Sequence, residues 1–67
     1  MSTEREYQSR VRAEREDLDH KREKLADFMG SEKFQHIADA ERLRLSRQYT
    51  AMTTYSAILS ERIEAFE

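Results

Sequence analysis

Lys21, Arg22 and Lys24 fall within a single helical turn, and Arg5, Tyr7, Gln8 and Arg10 crowd into a second short stretch near the N-terminus. Residues of these types suit one kind of chemistry. Guanidinium and ammonium groups neutralise and hydrogen-bond phosphate or carboxylate, while a tyrosine ring offers a face on which a planar base can stack. Near the other end of the chain, Arg62, Ile63 and Phe66 supply a further cation and apolar neighbours. Each cluster also has a plainly structural reading. Lys21, Arg22 and Lys24 can form a solvated face with local ion pairs, and Tyr7 can be a packed ring with its hydroxyl at the rim.

Catalytic spacings are missing from this reading. His20 and His36 stand sixteen positions apart with no His-Glu-x-x-His run, no Cys and no Gly-rich phosphate loop. Such a pair is a poor metal site. Glu14, Glu16 and Asp17 sit in a charge-dense segment, where solvation is the ordinary role of a carboxylate. The expectation is a non-enzyme with no catalytic residue, no metal and no cofactor.

The elements that must position these residues follow from pattern. The chain has 67 residues, 39% charged, with one Gly and no Pro. That composition suits long helices and lacks the turn residues a sheet needs, so the class is all-α. Tyr7, Val11, Glu14, Leu18, Lys21, Leu25 and Phe28 alternate steps of four and three, one helical stripe, interrupted by Glu14 and Lys21. Thr3 suits an N-cap, Glu4 and Glu6 favour the first turn, and Asp17 with Lys21 is an i,i+4 pair. Gly30 is suited to a reversal through positive φ, with Ser31 capping a new turn and Phe34 and Ile37 forming a short helical plug. Asp39 can cap a second long helix from Ala40, in which Leu45, Tyr49, Met52, Ser56, Leu59, Ile63 and Phe66 again alternate four and three. The reading is one domain, 1–67: a helix over about 4–29, a connector over 30–39 with a short helix, and a helix over about 40–66. Together they make an antiparallel helical hairpin, which brings Tyr7 and Gln8 near Arg62.

Gln48 to Ser60 is a run of thirteen residues without a charge, where composition predicts about five. A partner helix covers only about a third of such a circumference, so further helices should pack around it. A chain this short also builds a thin core and has no disulfide to compensate. Both points lead to a homo-oligomeric helical bundle: two trimers forming a hexamer, a trimer, or a four-helix dimer. The net charge of −2 provides no basic field for DNA or RNA. No run reaches the length of a membrane span, and the N-terminus lacks the apolar segment of a signal peptide. The expected location is the cytoplasm.

The pattern Tyr7-Gln8-x-Arg10-Val11, Glu14, Leu18, Lys21, Lys24-Leu25, Phe28, Ser31, Phe34, Ile37, Leu45, Gln48, Met52, Tyr55-Ser56-x-Ile58-Leu59-x-Glu61-Arg62-Ile63 covers nearly the whole chain. It resembles a family of short phage helical-hairpin proteins related to the anti-CBASS and anti-Thoeris cyclic-nucleotide sponges. That resemblance implies a non-enzymatic protein of the infected bacterial cell that traps cyclic di- or trinucleotide messengers in pockets between protomers. It implies Tyr7 as base platform, Lys21, Arg22 and Lys24 as phosphate contacts of one pocket, and Gln8 with Arg62 as those of another. The chain is shorter than the characterised sponges, so a pocket can be missing. The alternative reading is a small coiled-coil interaction module that docks on a protein and has no small-molecule ligand.

Overall fold

The computed structural model describes residues 5–66. Three helices follow one another: α1 (Glu6–Met29), α2 (Glu32–Gln35) and α3 (Asp39–Glu64), with no strand among the described residues. The all-α class with two long helices and a short one is thus as the residue spacing predicts. α1 and α3 pack side by side in a rod 53 × 16 × 13 Å.

Helix α1 has neither Gly nor Pro and is laced by near-neighbour ion pairs, Glu6 with Arg10 at 3.5 Å and Asp17 with Lys21 at 3.3 Å. Both pairs are largely exposed, so each contributes only a few tenths of a kcal/mol. The expected N-cap Thr3 and first-turn Glu4 lie outside the described residues. At the observed start, Gln8 closes the first turn instead: its Oε1 accepts the Arg5 amide at 3.1 Å.

The reversal after α1 differs from the expected one. Gly30 has φ −88° and ψ 0°, and no described residue has positive φ. The helix ends by tightening: the Gly30 amide donates to the Ala26 carbonyl at 3.1 Å, and the Ser31 amide to that of Phe28 at 3.0 Å. Ser31 occupies the N-cap position of α2, but its hydroxyl donates backward to the Phe28 carbonyl at 2.6 Å rather than accepting from α2. Phe34 meets Phe28 edge-on at 6.0 Å, closing the connector onto the end of α1. α3 begins one residue earlier than expected. Ala38 is its N-cap, while Asp39 is the first helical residue and pairs with Arg42. Its carboxylate therefore favours the N-terminal dipole without capping it.

The inner face of α3 is the predicted stripe, with Leu45, Tyr49, Met52, Ile63 and Phe66 half-buried and Ser56 and Leu59 buried. On α1 the seam is rotated from expectation. Glu14, Lys21 and Tyr7 are exposed, and the face toward α3 runs Gln8, Val11, Arg15, Leu18, Arg22, Leu25 and Met29. Arginines fill these levels because their aliphatic stems lie along the apolar seam while their heads reach polar groups opposite. The core is small: Val11, Leu18 and fully buried Leu59, with Met52, Ile63 and Phe66 against them. At roughly 1.5 to 3 kcal/mol for each fully buried side chain, that core holds the pair loosely.

Three polar rungs fix the register of α1 against α3. Arg15 donates to Ser60 Oγ at 3.5 Å, Ser56 Oγ donates to Asp19 Oδ1 at 2.6 Å, and Arg22 donates to Thr53 Oγ1 at 3.5 Å. Steps of four and three along α1 are matched by equal steps back along α3. A slip of either helix breaks every rung.

Candidate functional site

The antiparallel pairing brings the start of α1 to the end of α3, and an aromatic cluster forms there. Phe66 meets Tyr7 edge to face at 5.7 Å, and the Arg12 guanidinium lies over the Phe66 ring at 5.5 Å from its centre. Such a contact adds about 0.5 to 1 kcal/mol at an exposed site and holds the cation at a fixed height over the ring. Tyr7 is 46% exposed. One side of its ring is thereby fixed against Phe66 and the remainder is open for stacking. Gln8 is buried at 4%, with its amide group 3.5 Å from the Tyr7 hydroxyl and its carbonyl on the Arg5 amide. It stands behind Tyr7 and holds the ring's surroundings in place.

The cations named from sequence do not form one patch. Lys21 is exposed and paired with Asp17. Arg22 points inward, 3.5 Å from both Asp19 Oδ1 and Thr53 Oγ1, and its buried Nε has no hydrogen-bond partner. Lys24, two positions on, lies near the opposite side of α1 and is exposed, with no ion pair among the described residues. At 100° per residue, Lys21 and Lys24 share a face and Arg22 does not. Arg62, in the last turn of α3, is exposed and likewise has no ion pair among the described residues.

Arg12 and Arg15 belong to no motif in the sequence. Together with Glu16, Asp19, His20, Glu23 and Ser60 they line an open groove of about 440 Å³ beside the seam. Its two guanidinium groups face three carboxylates, so the groove of a single chain is a mixed-charge surface and not a strong anion site. The signal for Arg12 is its place in the first third of a helix whose partner ends just before Phe66. A contact between residues so distant in sequence required the hairpin register to be known. Among the described residues no group of three or more His, Cys, Asp or Glu converges as for a metal ion.

Comparison with known protein families agrees with the sponge-type resemblance. The model of the family described as Sequestin matches residues 5–65, nearly the whole hairpin, and the chain belongs to that family. The family's name denotes sequestration of a ligand in place of its conversion. No match was found among curated proteins or among solved structures. Among the described residues no helix is long and apolar enough to cross a membrane.

Proposed function

We propose that this protein is a phage-type immune-evasion sponge. It binds a cyclic di- or trinucleotide at seams between copies of itself in the infected cell and withholds it, unaltered, from its receptor. Membership of the Sequestin family over residues 5–65 carries this reading. The chemistry available supports it. Tyr7 offers an open aromatic face braced by Phe66, and Lys24 and Arg62 are exposed cations with no ion pair among the described residues. Lys21, Arg22 and Gln8 complete the proposed set, Arg22 and Gln8 as groups already hydrogen-bonded within the hairpin.

One exposed cation contributes too little to hold a phosphate tightly, so the pocket draws on at least two, from different copies. The proposed assembly is a homo-oligomer, a hexamer or a trimer. Sequestration then works by mass action: sites must outnumber and outbind the receptor's, without turnover. Thermal melting with a panel of cyclic di- and trinucleotides tests this. At a hundredfold excess over Kd the right ligand stabilises the fold by about 2.7 kcal/mol, a rise of roughly 10 °C or more for a domain of this size. If no member of the panel shifts the melt, the sponge reading falls and the protein-docking alternative takes its place.

A further inference from the structure

Helix α3 carries two lengthwise stripes. One, from Leu45 to Ile63, faces α1. The other runs Gln48, Ala51, Tyr55, Ile58, Arg62, also in steps of three and four, about 100° around the helix, and every member of it is exposed. Tyr55 is 43% and Ile58 49% open to solvent, one turn apart in the second half of the uncharged run.

The surface of the whole chain indicates how much of it a cover could take. A self-contained monomer of 8.0 kDa exposes about 4,450 Å². This chain exposes 5405 Å². The excess of about 950 Å² is close to the roughly 800 Å² that one partner loses in a standard interface.

Charge indicates what the cover is. Of the charged residues flanking this stripe, Arg47 stands two turns before Tyr55 and Glu61 two turns after Thr54 on the same flank, and neither has an ion pair among the described residues. By contrast Asp39 and Glu41 are held by Arg42 and Arg44. A second α3 laid parallel would set Arg47 level with Arg47. Laid antiparallel, it sets Arg47 beside Glu61 of the other copy, twice by symmetry, and it opposes the helix dipoles favourably.

We infer that the Tyr55–Ile58 face of α3 is covered by the same face of a second copy, the two helices antiparallel about a two-fold axis, with Arg47 of each beside Glu61 of the other. This rests on the self-assembly proposed above and names a seam of the hexamer, since a three-fold trimer has no two-fold axis. In the heptad register that pairs Arg47 with Glu61, the large Tyr55 ring packs over the small Ala51 of the second copy. The same register sets Arg62 of one copy level with Arg44 of the other at each end of the seam. Two cations from two chains suit a bridging phosphate diester, and within one chain Arg44 and Arg62 stand about five turns apart.

Light scattering of the full chain over a dilution series, without ligand, tests this, with helicity checked by circular dichroism. The wild-type chain should assemble, Ile58→Asp should weaken assembly by about tenfold or more, and Arg47→Glu by a few-fold. Adding Glu61→Arg to Arg47→Glu should restore it. A wild-type chain that stays monomeric throughout overturns both the seam and the assembly it rests on. Assembly that is indifferent to Ile58→Asp and Arg47→Glu overturns the seam alone. Failure of the charge swap to rescue a weakened Arg47→Glu overturns the antiparallel pairing, and this arm stands even if Ile58→Asp does not fold.

Discussion

Ser56 donates its hydroxyl hydrogen to Asp19 Oδ1 at 2.6 Å, joining the middle of α3 to the middle of α1 beside a core of three buried apolar side chains. Asp19 is also 3.5 Å from the Arg22 guanidinium, which reaches on to Thr53. A hydroxyl, a carboxylate and a guanidinium thus close a polar bridge where apolar contact is thin.

A hydrogen bond to a charged group contributes about 1.5 to 3 kcal/mol when its donor is partly withdrawn from water. Ser56→Ala should destabilise the fold by an amount near the low end of that range, since Asp19 keeps Arg22. Urea titration reads this directly. An unchanged midpoint would mean that the bridge contributes nothing.

Among the described residues Leu59 is the one large side chain sealed from solvent, at 0% exposure, while Leu43 on the same helix is 61% exposed. Leu59→Ala should cost about 2 to 5 kcal/mol, and Leu43→Ala should stay within about 0.5 kcal/mol. Equal effects in a melting experiment would show that the seam between α1 and α3 is misplaced.

Gly30 gives a prediction of opposite sign to the usual one for a helix-ending glycine. Its φ of −88° is open to any L-residue, and a Cβ there would lie 3.7 Å from both the Ala26 and Asp27 carbonyl oxygens, an ordinary contact. Gly30→Ala should therefore stabilise the chain by about 0.4 to 1 kcal/mol by restricting the unfolded state. A lowered melting temperature would show that the turn needs positive φ after all.

These residues also mark how much could be read in advance. The inner stripe of α3 was legible because no charge interrupts its alternation between Leu45 and Ser60. The seam of α1 was not, because Arg15 and Arg22 pack their stems inward while counting as polar in any hydropathy pattern. Gly30 suits positive φ by residue type alone, although a helix can also end by tightening its last turn. Hairpin topology alone predicts Tyr7 and Arg62 near one another at the open end. Arg12 over Phe66 and the inward turn of Arg22 depended on register, which polar rungs across the two helices set and which no local pattern announces. Family membership was legible in spaced residues along the whole chain. It does not assign a role to any one of them.

For the proposed pocket, Tyr7→Ala, Lys24→Ala and Arg62→Ala should each weaken ligand binding while leaving helicity intact, because all three side chains are exposed. Loss of base stacking at Tyr7 should lower affinity by about 1 to 3 kcal/mol. Titration calorimetry on the three variants reads the effect. Wild-type affinity in all three would place the pocket elsewhere on the hairpin.

Equilibrium dialysis of the purified chain against cyclic di- and trinucleotides, followed by heat denaturation and mass analysis of the released ligand, tests the central claim most directly. Sequestration predicts saturable binding at a fixed ratio of ligand to chain, with the cyclic nucleotide recovered intact. No retention of any ligand, or recovery of linear product, would contradict it.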